Sequence, residues 1–192
     1  MSLLKNVFVV ALVAFIAVGC SQQGGNSQDF SKQIALSDAG FKALTQLDWQ
    51  GYASQVEPEG IARFNAMLKP GIEKMIMASQ TDSVNLFGKN FNSQELQSLD
   101  DAGFFSAIMN MVAEVSPELK STFSNMTNEA LGAVADGDSL VHIVVRSNMM
   151  IGTRPVEEMT IQSVVKDGDE WKLKISQKID GIAMMLSQSM PR

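Results

Sequence analysis

Residues 156–176 read VEEMTIQSVVKDGDEWKLKIS, two runs of alternating character on either side of Asp167-Gly168. Asp-Gly between β-prone runs is the strongest short-range hairpin signal, because a tight hairpin turn needs positive φ and glycine adopts it without a steric penalty. In the second run Trp171, Leu173, Ile175 and Ile179 point one way, and Lys172, Lys174, Ser176 and Lys178 the other, which predicts a strand with one buried face. The same design stands just upstream. Residues 129–147, EALGAVADGDSLVHIVVRS, place Asp136-Gly137 between two further runs, so the C-terminal part of the chain predicts four antiparallel strands. Each DGD also offers two carboxylates. A calcium loop, however, needs oxygen ligands at several alternating positions and a late bidentate glutamate, so the two motifs are read as turns.

Upstream of these strands the period changes from two to three and four. Phe41, Leu44 and Leu47 are spaced for a helix behind an N-cap at Ser37 or Asp38, and Pro58 opens a second helix carrying Ile61, Phe64, Leu68, Ile72, Met75 and Ile76. That helix is expected to kink or break at residues 69–71, KPG. Residues 83–91, SVNLFGKNF, predict a short strand or loop. Leu96, Leu99, Phe104, Ile108, Val112 and Val115 then return to helical spacing, and Ser116-Pro117 opens a further turn with Leu119 and Phe123. After the last strand, residues 180–190, DGIAMMLSQSM, predict a short helix on the end of the sheet. The fold class is α+β, with N-terminal helices packed on a curved antiparallel sheet of at least four strands, in one domain over residues 29–192.

The N-terminus is of a different kind. Lys5 precedes an uninterrupted apolar run from Val7 to Val18, too short for the ~20 residues of a membrane span but within the length of a signal-peptide core. It ends in Ala17-Val18-Gly19-Cys20, and Cys20 is the chain's single cysteine. This AVGC stretch resembles the bacterial lipobox. The resemblance implies that residues 1–19 are removed as a lipoprotein signal peptide and that Cys20 carries acyl chains, two of which hold a protein stably on a bilayer. Residues 20–28 then form a lipidated, polar, Gly-containing tether. It further implies the bacterial cell envelope, and Ser21 after the cysteine implies the outer membrane, facing the periplasm. The membrane, reached through the lipid on Cys20, is the first expected partner.

Composition closes off several functions. The net charge is −6, or −7 once Lys5 is removed with the peptide, and no cluster of Lys and Arg gives a footprint for nucleic acid. With Cys20 lipidated and His142 the single histidine, a zinc or copper site built on Cys and His lacks ligands. No metal and no cofactor is expected. Thirteen methionines are the oddity of the composition. The pairs Met75/Met77 and Met109/Met111 are two apart on helices and do not face one another, so they make poor chelates and are read as core filling.

Helices first, then a meander ending in VVKDGDEWKLKIS with its turn, its Trp and its alternating last strand, is similar to the nuclear-transport-factor-two-like superfamily, the cystatin-like α+β roll. The similarity covers about residues 37–179, and DWQGYASQVEPEGIARF, residues 48–64, matches that superfamily's helical step followed by a second helix. The resemblance implies a cone-shaped cavity between helices and sheet, used for catalysis or for binding alone.

Candidate site residues follow from the strand periodicity. His142 and Arg146 share one face of SLVHIVVRS. They could form a polar patch in the cavity, or an outward polar face. An enzyme would need His142 in a pocket beside a carboxylate such as Glu157 or Glu158, and the chain's one tyrosine, Tyr52, falls in an expected loop. No catalytic residue is assigned. Met149 and Met150, next to the Gly-Thr-Arg-Pro turn and followed by Ile151, are apolar where a loop tip is expected, which marks them as a contact site for a ligand or partner. The expected function is a non-catalytic binding module for a small hydrophobic ligand or an envelope component. A structural or assembly lipoprotein that binds a protein partner through an exposed apolar patch is the alternative, and an isomerase- or dehydratase-like enzyme comes third.

Overall fold

The computed structural model describes residues 28–192 apart from 80, 87, 152, 191 and 192, so the signal segment, Cys20 and the tether up to residue 27 lie outside the described residues. Helix α1 spans Ser31–Thr45 and starts earlier than the sequence suggests. The Asp29 carboxylate accepts the Ser31 N–H at 2.9 Å and fixes the entry, which leaves Ser37 and Asp38 inside the helix, with Ser37 buried against its neighbours. Helix α2, Trp49–Gln55, is capped by Asp48, whose carboxylate accepts the Gly51 N–H at 2.9 Å.

Helix α3 runs without a break from Pro58 to Ala78, through Pro70. The expected interruption does not occur. Pro70 forfeits one backbone hydrogen bond, but Leu68 and Ile72 on either side of it are 0% and 1% exposed, and their burial holds both turns in line. A small hairpin follows, β1 Ser83–Leu86 and β2 Lys89–Asn92, then helices α4 Ser93–Ser98, α5 Asp101–Val115 and α6 Pro117–Ser124. Side chains of Asn92, Asp100 and Ser116 cap the three helices in turn.

The C-terminal part is the antiparallel sheet: β3 Thr127–Ala135, β4 Leu140–Ile151, β5 Arg154–Asp167 and β6 Glu170–Leu173, in that spatial order. Gly137 and Gly168 take the positive φ values, 70° and 59°, that their turns require. The second turn sits one residue later than Asp167-Gly168: Asp167 pairs with Glu170, leaving Gly168 and Asp169 as the loop. Strand β6 is also shorter than the alternation suggests. It stops at Leu173, and the Ser176 hydroxyl accepts the Ile179 N–H at 3.4 Å to start helix α7, Gln177–Gln188. Lys178 and Ile179 are therefore helical, and Trp171 is half-buried while Leu173 and Ile175 carry the core face.

The two parts of the chain meet at Leu173, which is 2% exposed. Its carbonyl accepts the Glu57 N–H at 2.8 Å, it forms a parallel bridge with Val56, and it pairs with Val164 of β5. On its other side stands Gly40 of α1. A Cβ at Gly40 would lie 2.2 Å from Leu173 Cδ1, so any larger residue there would have to displace the buried Leu173 side chain. From this point a continuous cluster of buried side chains spreads through Trp49, Phe64 and Phe105 in the helices and Val141, Ile143 and Val164 in the sheet. Farther out, buried Asn65 donates to the Asp101 carbonyl at 2.9 Å and to its carboxylate at 3.0 Å, tying α3 to the start of α5. The Lys69 ammonium and Asn65 beside Asp101 hold its carboxyl below the usual range.

The close approach predicts a reversal of sign. Gly40→Ala should cost about 1–3 kcal/mol in the wild-type chain through overpacking. On a Leu173→Val background, which lacks Cδ1, the same change should stabilise by about 0.5–1 kcal/mol through helix propensity. Urea unfolding of the four chains measures the cycle. Asp101→Asn should lower the melting temperature at neutral pH. A carboxylate held low stabilises the fold above its unfolded pKa and loses that contribution as pH falls through its folded value, so the difference should vanish at low pH.

Candidate functional site

Strand β4 sorts its side chains strictly. Val141, Ile143, Val145, Ser147 and Met149 are buried towards the helices, and His142, Val144, Arg146, Asn148 and Met150 face away. The register carries that division to β5, where Gln162, Thr160 and Glu158 stand opposite Ile143, Val145 and Ser147. The polar residues of β5 therefore lie on the helix side, and its apolar residues lie outside. Ile161 and Met159, opposite Val144 and Arg146, are 68% and 61% exposed. On β3, Val134 opposite His142 is 58% exposed.

The cause is a conflict between neighbouring strands. A slip of one residue would turn Met159 and Ile161 inward, but it would also expel Val164, which is fully buried opposite Val141. The inward polar residues have found partners instead. Glu158 pairs with Lys178 of α7 at 2.6 Å, and the Gln162 amide donates to the Lys174 carbonyl at 3.0 Å. Asn128, opposite buried Ser147, completes an inner polar row of Asn128, Ser147 and Glu158, and the Asn128 Oδ1 is buried without a hydrogen-bond partner.

The expected site residues divide between the two faces. His142 and Arg146 are co-facial and on the outward side. Nδ1 of His142 lies 2.9 Å from the Ser163 hydroxyl, and its Nε2 lies 3.8 Å from the Asp136 carboxylate. Glu157 and Glu158 are not beside it. The register puts His142 opposite Ser163, five and six residues from them along β5, about 17–20 Å away. Arg146 donates to Glu129 at 3.1 Å and lies 3.9 Å from Glu157, so the outward face carries a base between two acids. Tyr52 is in helix α2 rather than a loop, and burial pushes its hydroxyl pKa up to about 12.

Met149 and Met150 are in strand β4 rather than at a loop tip, and they point to opposite faces, Met149 buried and Met150 half exposed. Strand β3 begins only opposite Asn148, so β4 outruns it. An open groove of about 320 Å³ forms there, lined by Asn125, Thr127, Met149, Met150, Pro155 and Val156 among others. The side chain of Ile151 lies outside the described residues. Met109 and Met111 are fully buried, while Met77 is 80% exposed at the end of α3. Among the described residues no three His, Cys, Asp or Glu side chains gather as a metal site would need, and no helix is long and apolar enough to cross a membrane.

No known family model matches the chain, and no curated protein matches it in sequence. Among solved structures it is similar to an NTF-2-like protein of unknown function from Shewanella oneidensis MR-1. The two are 11% identical with a TM-score of 0.40, over 75% of this chain and 93% of that one. A superposition this loose passes no residue role from one protein to the other.

The face assignment predicts unequal responses to the same substitution. Ile161→Asp should change unfolding free energy by no more than about 0.5 kcal/mol, whereas Ile143→Asp, which buries a charge, should cost more than about 4 kcal/mol. Chemical denaturation of both variants is the check.

Proposed function

We propose that the chain is a non-catalytic, lipid-anchored protein of the bacterial envelope that docks a protein partner on the outward face of its sheet. The inversion of β5 carries this reading. A sequence normally sets its apolar alternation towards the core, and departures from local consistency are expected where function demands them. Here Ile161, Met159 and Val134 form an apolar face on a sheet whose other side already packs the helices. The four strands, of 9, 12, 14 and 4 residues, cover roughly 600 Å² at the usual strand spacing and rise, close to the ~800 Å² per partner of a specific interface. The β5 edge favours contact through the face instead, because Pro155 and the inward charge of Glu158 are devices that discourage strand addition.

A second reading has its own observation. The buried, unpartnered Asn128 Oδ1 beside Ser147 and Glu158 would suit a small ligand carrying N–H or O–H donors, entering from the groove at Met149 and Met150.

A photo-crosslinking residue at 161, in cells, should give a discrete protein adduct, while one at the exposed Met184 of α7 should not. Equal adducts, or none at 161, would contradict the docking reading. For the anchor, labelled palmitate should enter the wild-type chain and not Cys20→Ser, and the mature N-terminus should be the modified Cys20.

A further inference from the structure

Resting on the docking reading, we infer that the partner presents an apolar surface ringed by lysine or arginine. The ions on and around the outward face decide this. Its bases are already held: Arg146 by Glu129 at 3.1 Å with Glu157 at 3.9 Å, and Lys172 by Glu170 at 3.1 Å and by the Ser54 carbonyl at 3.2 Å. The acids are held far less completely. The Glu129, Glu157 and Glu170 side chains remain 63%, 63% and 74% exposed, and Asp136, facing His142 at 3.8 Å, is 73% exposed.

Topology then adds more negative charge at one end. The β3–β4 and β5–β6 turns lie at the same end of the sheet, where the Lys166 N–H donates to the Ser139 carbonyl at 2.8 Å, and between them they carry the exposed Asp136, Asp138 and Asp169. The apolar residues Val134 and Ile161 are thus bordered by largely exposed carboxylates, on a chain whose net charge is −6. A neutral or acidic surface docking here would desolvate those carboxylates with too few bases to offset the cost, since Glu129 and Glu157 share Arg146 and Asp138 and Asp169 have no ion pair among the described residues. Lysine or arginine around an apolar patch would pair them and speed encounter.

Fluorescence anisotropy with two synthetic probes tests this on the full chain in detergent: one peptide alternating valine and lysine, and one alternating valine and serine. The lysine peptide should bind at least about tenfold tighter, lose affinity as salt rises, and lose binding to Ile161→Glu. Met159→Glu serves as a second variant, with circular dichroism confirming the fold of each. Equal binding of the two peptides, abolished in the variants, would keep the docking face and overturn the basic partner. Binding indifferent to both substitutions would overturn the docking reading as well. A dimer of the chain that Ile161→Glu dissociates in sedimentation would assign the face to a second copy and also overturn the basic partner.

Discussion

Leu173 is the point through which the helical and the sheet parts of this protein specify one another. It sits in a four-residue strand, yet it is bridged to Val56, bonded to Glu57, paired with Val164 and pressed against the bare backbone of Gly40. Residues more than a hundred positions apart are therefore joined at one residue, through its backbone and its side chain. Because protein interiors are close-packed, a displacement there would be felt in α1, in the start of α3 and in the sheet together. The short β6 exists to deliver that contact, and the Ser176 cap then sends the chain into α7, which packs on α3.

The position of β6 also determines what β5 can do. β6 fixes only the last rungs of β5, Val164 to Asp167, while β4 fixes the twelve residues from Arg154 to Val165. The inward face of β4 is apolar around Ile143, so the register of β5 is chosen by Val164, buried opposite Val141, and imposed on Met159 and Ile161. The outward apolar face and the inner polar row are two consequences of one register. Lys178 neutralises Glu158 on the inside, and nothing in the described chain covers Ile161 on the outside.

Much of the fold was legible because its signals are local. Glycines that need positive φ marked both strong hairpins, Pro58 marked a helix start, and three- and four-residue spacing marked Phe64 to Ile72. What could not be read depended on tertiary balance. Pro70 argued for a break that burial of Leu68 and Ile72 overrides, and the alternation through Ile179 hid a strand end set by a serine cap. For the site, the co-facial pairing of His142 and Arg146 follows from period two, but which face looks outward does not. The missed residues are Val134, Met159 and Ile161, and for the last two the signal misleads: their alternation with Glu158, Thr160 and Gln162 points them into the core. Only the twelve-residue register against β4 reveals the inversion.

The central claim is that the working surface is the outside of the sheet, with the space between sheet and helices taken up by the protein's own side chains. Native mass spectrometry of the chain extracted in detergent from the envelope of an expressing bacterium, followed by solvent extraction of the sample, addresses it most directly. The account predicts the mass of the mature polypeptide with its acyl groups on Cys20 and nothing else in stoichiometric amount. A small molecule retained one to one, released on denaturation and lost on Asn128→Leu, would contradict it and place the function on the inner face.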